Sequence, residues 1–271
     1  LGWALAGAPD VDGDGTPDLI AGEPGWDGAG NESGAVLVFS GADGSLLKRL
    51  TDPAAVAGCH LGRSVAVAGD LDGAGGFEIL GGAPDGPVSG VGEAGKVVVF
   101  DSLTEAVVAR LGANTPQHRE HLGTSVAVVS DRNGDGVEEV VAGGPYWDDG
   151  GLNDRGRAVL FSGADGSVLR SLFSAFAEAE EQLGQAVADM GDLSGDGVPE
   201  LAVSAHLRDR GKRGQNVGTV VLFGEESDCD EDGFGPWGGD CDDQQATVGP
   251  GFAELCDGLD NDCDTGIDED E

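Results

Sequence analysis

The sequence predicts an all-β protein, and its internal repeats are the main reason. Similar segments begin at Leu1, Leu61, Leu122 and Leu183, so the period is 60 to 61 residues. Within each segment, short apolar stretches alternate with clusters of Gly, Asp and Pro, which is the pattern of strands joined by turns. Four sequential strands in a repeat of this length are typical of one blade of a β-propeller. We therefore predict a propeller-type array of four four-stranded blades.

The strands are clearest in the second repeat. There we place them near Ser64–Ala68, Phe77–Gly81, Lys96–Phe100 and Ala106–Leu111. One stretch, "FSAFAEAEEQ" near Phe173, allows a helical turn. The predicted blades span residues 1–60, 61–121, 122–182 and 183–224, and a separate acidic, cysteine-containing segment spans residues 225–271.

The composition excludes some partners. With 14 Lys and Arg against 51 Asp and Glu, the formal net charge is −37, which excludes electrostatic binding to nucleic acid or to an anionic membrane. Hydrophobic residues make up 39% of the chain, which argues against a wholly disordered acidic protein. No apolar run approaches the roughly 18 to 20 residues of a membrane span. The chain begins at Leu without a signal-peptide pattern, so we expect a mature form or an excised fragment.

An acidic loop follows the first predicted strand of every repeat, with the pattern D-x-D-x-D-G-x-x-[DE] in the first. Oxygen ligands at positions 1, 3, 5 and 9, with a backbone carbonyl at position 7, can surround one Ca²⁺, and glycine at position 6 permits the sharp turn. The closing carboxylate at position 9 and the flanking strands exclude an EF-hand. The predicted ligands are Asp10, Asp12, Asp14, Thr16 and Asp18; Asp70, Asp72 and Glu78; Asp131, Asn133, Asp135, Val137 and Glu139; and Asp192, Ser194, Asp196, Val198 and Glu200.

The alternative for these loops is a set of Asp-Gly hairpin turns with solvated carboxylates. Four loops in register favour calcium, because turn chemistry alone does not require three or four converging acids. The charge count ranks the sites. We expect the first loop to bind best, and the second, which has Ala74 at position 5, to be the weakest or empty.

The repeats resemble the FG-GAP repeats of integrin α-chains and of many bacterial surface proteins. The matching residues are the Leu-Gly opening, the acidic loop and "GGAP" at Gly81–Pro84, with weaker versions at Gly22–Pro24 and Gly143–Pro145. The chain departs from the family in having Leu-Gly for Phe-Gly and "SAH" in the fourth repeat. The resemblance implies calcium in the loops and a ring of about seven blades, so the number of blades in the closed ring stays open.

The segment after Gly224 resembles the MopE-type metal-binding motif of secreted bacterial proteins, and more loosely thrombospondin type 3 repeats. The residues that carry this are "DCDEDGFG", "GGDCDD" and "ELCDGLDNDCDTGIDED". With so little apolar surface the segment needs disulfides or metal to fold, and a disordered tail is the alternative. Its candidate ligands are Asp228, Asp230, Asp232, Asp240, Asp242, Asp243, Asp257, Asp260, Asp262, Asp264 and Asp268.

The cysteines of this segment contain no C-x-x-C pair, which argues against zinc. We expect two disulfides and favour Cys229–Cys241 with Cys256–Cys263 over the two other connectivities. The resemblance alone suggests scavenging of a transition metal such as copper, whereas oxygen ligands prefer hard cations. Cys59 is left over, and we expect it to be a buried free thiol.

The loops between the second and third strands are long and should share the end of the array opposite the acidic loops. Loops on a rigid scaffold commonly bind ligands, although aromatic residues that pack against their own loops are an equally good interpretation. The candidate ligand-binding residues are Trp26, Tyr146, Trp147, Arg208, Arg210, Lys212 and Arg213.

The function we predict is a calcium-binding extracellular module for recognition of a protein or glycan, or for adhesion at a cell surface. Disulfides and weak calcium sites both suit an extracellular location. The alternatives are a metal-scavenging part of a larger secreted protein and a propeller domain attached to a secreted hydrolase. The four histidines, His60, His118, His121 and His206, accompany no G-x-S-x-G, H-E-x-x-H or phosphate-loop motif, so we expect no catalysis.

Overall fold

A computed structural model describes residues 1–174, 179–193, 199–207, 218–224, 247–248 and 261. The described chain is all-β and forms four antiparallel sheets, in each of which the strands are ordered as they occur along the chain. Blade 1 consists of β1–β4, blade 2 of β5–β8, blade 3 of β9–β12 and blade 4 of β13–β15. The strands are β1 (Leu5–Ala8), β2 (Asp18–Glu23), β3 (Ala35–Phe39), β4 (Leu46–Leu50), β5 (Val65–Val67), β6 (Glu78–Ala83), β7 (Lys96–Asp101), β8 (Val107–Leu111), β9 (Ser125–Val129), β10 (Glu139–Gly144), β11 (Arg157–Phe161), β12 (Val168–Leu172), β13 (Leu183–Asp189), β14 (Leu201–Ala205) and β15 (Thr219–Phe223).

The all-β, propeller-type architecture is confirmed, and each of the four predicted strands of the second repeat overlaps an observed one. Blade 4 has three strands among the described residues; the segment after β15, where a fourth strand would lie, is outside the described residues, so four strands in this blade stay a prediction.

Hydrophobic cores lie between successive blades. Alternate residues of one strand serve different cores, because side chains of a strand point to opposite faces: Ile79 of β6 packs toward blade 1, whereas its neighbour Leu80 packs toward blade 3. A third core joins blades 3 and 4 around Leu160 and Leu201. Among the described residues no core joins blade 4 to blade 1, so the array is open at both ends.

Close backbone contacts at the blade junctions explain two of the repeated motifs. In blades 2 to 4, the Leu of the Leu-Gly pair bridges to the glycine that precedes the third strand of the blade before it, as Leu61 does to Gly34. Glycine in the second strand allows the approach: a Cβ added to Gly82 would lie 2.0 Å from the carbonyl oxygen of Gly123. The "GGAP" and Leu-Gly motifs are thus the two sides of one tight contact.

Buried ion pairs also cross the junctions. Arg157 in blade 3 donates to both oxygens of Glu120, at 2.8 and 3.1 Å, and both side chains are almost completely buried. Asp52, at the end of blade 1, pairs with Lys96 and Arg110 of blade 2. Because a buried charge is costly unless it is paired, these contacts fix the arrangement of neighbouring blades.

Cys59 is buried and free, as predicted. The four predicted disulfide cysteines, and part of the stretch that allowed a helical turn, lie outside the described residues. Of the acidic segment only Thr247, Val248 and Asn261 are described, so its separation from the blades stays a prediction; Asn261 donates a hydrogen bond from Nδ2 to the carbonyl oxygen of Thr247 at 3.0 Å. Nowhere in the described ranges is there a helix of the length and apolarity that a membrane crossing requires.

Candidate metal centres

The closing acid of each acidic loop is buried and has the same contact in all four blades. Asp18, Glu78 and Glu139 are the first residues of their strands, and Glu200 directly precedes β14. Each accepts a hydrogen bond from the backbone N–H seven residues earlier, at distances of 2.7, 2.6, 2.9 and 2.6 Å respectively. This hydrogen bond joins the two ends of every loop, so the closing carboxylate is held in the protein interior beneath the loop's more exposed carboxylates.

Bonds from backbone N–H groups to side chains shape the loop above this base. In the first loop the N–H of Gly15 donates to Asp10 at 2.7 Å, and the N–H of Thr16 donates to Asp14 at 2.7 Å. The third loop repeats both bonds, at 2.8 Å each, with Gly136 and Val137 as the donors. The position 6 glycines have φ of 90° and 87°, the left-handed region that the sharp turn requires.

Three carboxylates converge in each of the first three loops. In each group, one ligand atom from every residue lies within 4.8 Å of the others. The groups are Asp10, Asp12 and Asp18; Asp70, Asp72 and Glu78; and Asp131, Asp135 and Glu139. The second loop therefore assembles three acids without the acid that Ala74 replaces.

Two predicted side-chain ligands of the first three loops are not among the grouped acids. Asp14 is not a member of the first group, and in the third loop the amide of Asn133 donates from Nδ2 to Asp135 at 3.0 Å. In the fourth loop Asp192 and Glu200 are described, whereas Ser194, Asp196 and Val198 lie outside the described residues, as do all predicted ligands of the acidic segment.

The third loop holds three negatively charged side chains close together, one of them buried, and a bound cation would offset their repulsion. Burial raises the pKa of Glu139 to about 7; repulsion from Asp131 and Asp135 adds to the rise, and the hydrogen bond from Arg132 opposes it. Burial likewise raises the pKa of Glu78. One carboxylate oxygen, Oε1, of Glu139 and of Glu78 is buried without a hydrogen-bond partner among the described residues. A buried anionic oxygen without a donor is costly, and all-oxygen ligand sets of this kind fit Ca²⁺.

Two contacts around the loops were not predicted. The turn after the third strand contributes the N–H of Gly41, which donates to Asp18 at 3.0 Å. Glu138 of the third loop accepts a hydrogen bond from the N–H of Gly69 in the second loop at 2.7 Å, so it links neighbouring loops. The antiparallel order explains the first contact, because the first and third turns of a meander lie at the same end of the sheet. The second depends on how blades pack and leaves no signal in the local sequence.

At the opposite end, the two predicted Trp residues contact their own blades, whereas Tyr146 contacts the end of the preceding blade. The guanidinium of Arg49 lies 3.7 Å from the ring centroid of Trp26, and Trp147 lies against Phe173 at 4.8 Å between centroids. Tyr146 contacts His121 edge-on at 5.2 Å. All three aromatic side chains are half-buried. Their role in ligand binding stays a prediction, and the cations Arg208, Arg210, Lys212 and Arg213 lie outside the described residues.

A cavity of about 470 Å³ opens at this end, between blades 1 and 2. The guanidinium of Arg63 lies 4.7 Å from the ring centroid of Trp3 and has no carboxylate partner within the described part of the chain. The cavity is lined by Leu1, Trp3, Pro24, Gly25, Glu32, His60, Arg63 and Asp85.

Asp85 joins two blade junctions beside this cavity. It contacts Nδ1 of His60 at 2.5 Å and Nδ1 of His121 at 2.7 Å. Burial alone would raise the pKa of Asp85, but the hydrogen bonds from His121 and His60 hold it below its ordinary value. The two histidines are 61 positions apart, so only the folded repeat brings them together.

Comparisons with known proteins agree with this architecture. A family model described as "FG-GAP repeat" matches residues 1–39, and one described as "Putative metal-binding motif" matches residues 240–269. Integrin alpha pat-2 of Caenorhabditis briggsae is 29% identical over 265 residues, covering 86% of this chain and 21% of the relative. Integrin alpha-4 of Xenopus laevis is 23% identical over 212 residues, covering 76% of this chain and 19% of the relative.

The chain thus spans about a fifth of the length of the curated relatives that it matches. Among solved structures, the computationally designed Ika4 protein matches with a TM-score of 0.41 and 16% identity, over 82% of this chain and 89% of that one. The predicted resemblances at both ends of the chain are confirmed. Residues 1–39 match the FG-GAP repeat model, residues 240–269 match the model described as "Putative metal-binding motif", and most of the chain is similar to integrin alpha chains.

Proposed function

We propose that this protein is an extracellular, non-catalytic module in which Ca²⁺ stabilises the blades and the long-loop end binds a protein or glycan. The observation that carries the proposal is the convergence of three carboxylates, one of them the buried closing acid, in each of three described loops. Oxygen ligands in a flexible loop suit Ca²⁺, whereas Mg²⁺ requires near-ideal octahedral geometry.

The metal has a structural role in this proposal. A bound cation would supply the positive charge that the loop lacks, and the chain's own residues would transmit the effect. Asp18 is the example: it begins β2 while accepting hydrogen bonds from Val11 in the acidic loop and from Gly41 in the turn after β3. Stabilising Asp18 therefore stabilises two hairpins of one blade, and the blade holds the long loops at its other end.

The cavity between blades 1 and 2 is the proposed ligand site. An exposed Trp ring next to a guanidinium that has no carboxylate partner among the described residues offers apolar contact together with a planar hydrogen-bond donor. In a chain of net charge −37, a cation without an acidic partner is uncommon. Loops carried on a rigid sheet are also the usual location of binding residues.

The stability half of the proposal is tested by thermal unfolding in calcium and in chelator. A site held at about 100 times its Kd adds about 2.7 kcal/mol, so several sites should raise Tm by many degrees. Magnesium at the same concentration is the control and should raise Tm less. An unchanged Tm would show that the acidic loops are solvated turns.

The recognition half is tested by binding of the 271-residue chain to immobilised extracellular-matrix proteins and to a glycan array. We expect binding in calcium that is lost in chelator and in Arg63→Ala. The matched control is Arg119→Ala, because Arg119 is an exposed arginine of a surface ion pair with Glu93. Equal loss in both variants would contradict a site at the cavity.

A second candidate is metal scavenging by the acidic segment, which the match over residues 240–269 favours. It requires that the full chain bind copper more tightly than calcium. Competition between the two metals, followed by isothermal titration, decides between the candidates, because paired cysteines would leave oxygen ligands that prefer calcium.

A further inference from the structure

The first surface of the array exposes residues that are buried at every internal junction. Leu1 is 73% exposed, although the equivalent leucines of the other blades, Leu61, Leu122 and Leu183, are at most 1% exposed. Leu19 of β2 is 40% exposed. Its equivalents Ile79, Val140 and Leu201 are completely buried against the preceding blade. The outer face of blade 1 is therefore one half of a blade junction.

The outer face of blade 4 is the other half. Val220 and Leu222 of β15 are 60% and 54% exposed. The equivalent residues of blades 1 to 3 are at most 2% exposed and pack against the following blade. They are Val36, Val97 and Ala158 for Val220, and Val38, Val99 and Leu160 for Leu222. Blade 4 thus presents the apolar row of an internal junction to solvent.

Gly218 gives independent support for this interpretation. It precedes β15 with φ of 68°, like Gly34, Gly95 and Gly156 in the other blades. At those three glycines an added Cβ would lie 2.2–2.3 Å from the backbone of the next blade's leucine, whereas at Gly218 the nearest atom is 3.0 Å away, in His206. Blade 4 therefore retains the glycine of a junction, although the described residues contain no following blade.

We propose that two copies of this chain associate end to end, with blade 4 of each copy packed against blade 1 of the other. Leu1 of one copy would bridge to Gly218 of its partner copy as Leu61 bridges to Gly34. A second copy is the occupant because one chain carries both halves of the junction. Two such contacts related by a two-fold axis close the assembly. The proposal does not depend on metal or ligand binding: Leu1 also lines the cavity, but Leu19, Ser204 and Leu222, where the association is tested, do not line it.

One residue makes this contact looser than the internal ones. Ser204 occupies the position of Gly22, Gly82 and Gly143, where an added Cβ would lie 1.8–2.0 Å from a carbonyl oxygen of the next blade. Its Oγ accepts a hydrogen bond from the N–H of Ala186 at 2.9 Å. At the internal junctions these carbonyl oxygens belong to the glycines of the Leu-Gly pairs, and Gly2 is the equivalent glycine of blade 1. The backbone of Gly2 in the second copy must therefore lie farther from β14, and Ser204→Gly should tighten the association.

Sedimentation equilibrium of the 271-residue chain tests the proposal. Saturating calcium and about 0.3 M salt reduce repulsion between the two acidic copies. As protein concentration rises from about 1 µM to about 500 µM, the mass should rise from 27.2 kDa toward twice that value. Leu222→Lys and Leu19→Lys should each weaken association by about tenfold or more, and Ser204→Gly should strengthen it by a similar factor.

Leu169→Lys is the matched control, because Leu169 is 38% exposed on β12, away from both ends. It should associate like the wild type, and circular dichroism should show that all variants are folded. A mass of 27.2 kDa at every concentration would overturn the proposal. So would association that Leu222→Lys leaves intact, or Ser204→Gly that weakens it.

Discussion

Replacing Glu139 with Gln should change stability in opposite directions with and without calcium. In the metal-free chain at pH 8, the folded state holds an ionised carboxylate that is buried, close to Asp131 and Asp135, and only partly hydrogen-bonded. The neutral amide removes that charge and can donate to the neighbouring carboxylates. In calcium, the same change removes a ligand.

The magnitude follows from the pKa. A rise from 4.5 to about 7 corresponds to at most about 3.4 kcal/mol, and screening by solvent around the loop reduces it to about 1–2 kcal/mol. Without calcium the variant should therefore be about 1–2 kcal/mol more stable. If calcium is present at about 100 times the wild-type Kd and the variant binds about 100-fold more weakly, the variant loses about 2.3 kcal/mol of ligand stabilisation. It should then be the less stable protein.

Urea unfolding at pH 8, in calcium and in chelator, measures both differences. Glu105→Gln is the control, because Glu105 forms a surface ion pair with Lys48 at 3.7 Å and its loss should change stability by about 0.5 kcal/mol or less in both conditions. If Glu139→Gln destabilised the chain by the same amount with and without calcium, Glu139 would be a structural residue and our account of the third loop would be wrong.

Three further predictions concern pH and the junctions. The folded chain holds the Glu139 proton up to about pH 7, whereas the unfolded chain releases it near pH 4.5, so the stability of the wild type falls as pH rises through this window. The stability advantage of Glu139→Gln in chelator should therefore vanish near pH 4.5. An advantage that does not change with pH would show that the raised pKa of Glu139 is not its cause. Glu120→Gln breaks the buried ion pair with Arg157 and should cost about 3–5 kcal/mol in urea unfolding, whereas a cost under about 1 kcal/mol would show that the pair is solvated. Gly82→Ala places a Cβ 2.0 Å from a carbonyl oxygen and should lower the free energy of unfolding by more than about 4 kcal/mol. The control Gly7→Ala, whose Cβ meets no atom within 4 Å, should lower it far less. Equal losses of stability in the two variants would refute the close contact at Gly82.

Local sequence predicted the features that repeat. The period, the strands and the acidic loops are all written in short segments, because a strand needs apolar residues and a metal loop needs alternating acids. The buried state of Glu78 could be anticipated for the same reason, since it begins a strand. The departure "SAH" could also be seen, and Ser204 within it shows its consequence: a residue that cannot accept the tight approach of a following blade.

Contacts between blades could not be predicted in this way. Asp85 meets His60 and His121 only because the repeats pack side by side, and Glu138 reaches Gly69 for the same reason. No local sequence pattern indicates that the guanidinium of Arg63 lacks a carboxylate partner among the described residues. Such contacts depend on the angle and distance between sheets, which a single repeat does not specify.

The central claim, calcium held by the converging carboxylates, is tested most directly by counting bound calcium. Equilibrium dialysis should compare the wild type with a variant in which the closing acids of the three carboxylate groups are changed to amides, Asp18→Asn, Glu78→Gln and Glu139→Gln. We predict that the wild type binds more calcium than the variant at the same free concentration, with up to one ion lost for each altered loop. Equal amounts of bound calcium in the two folded proteins would contradict the claim.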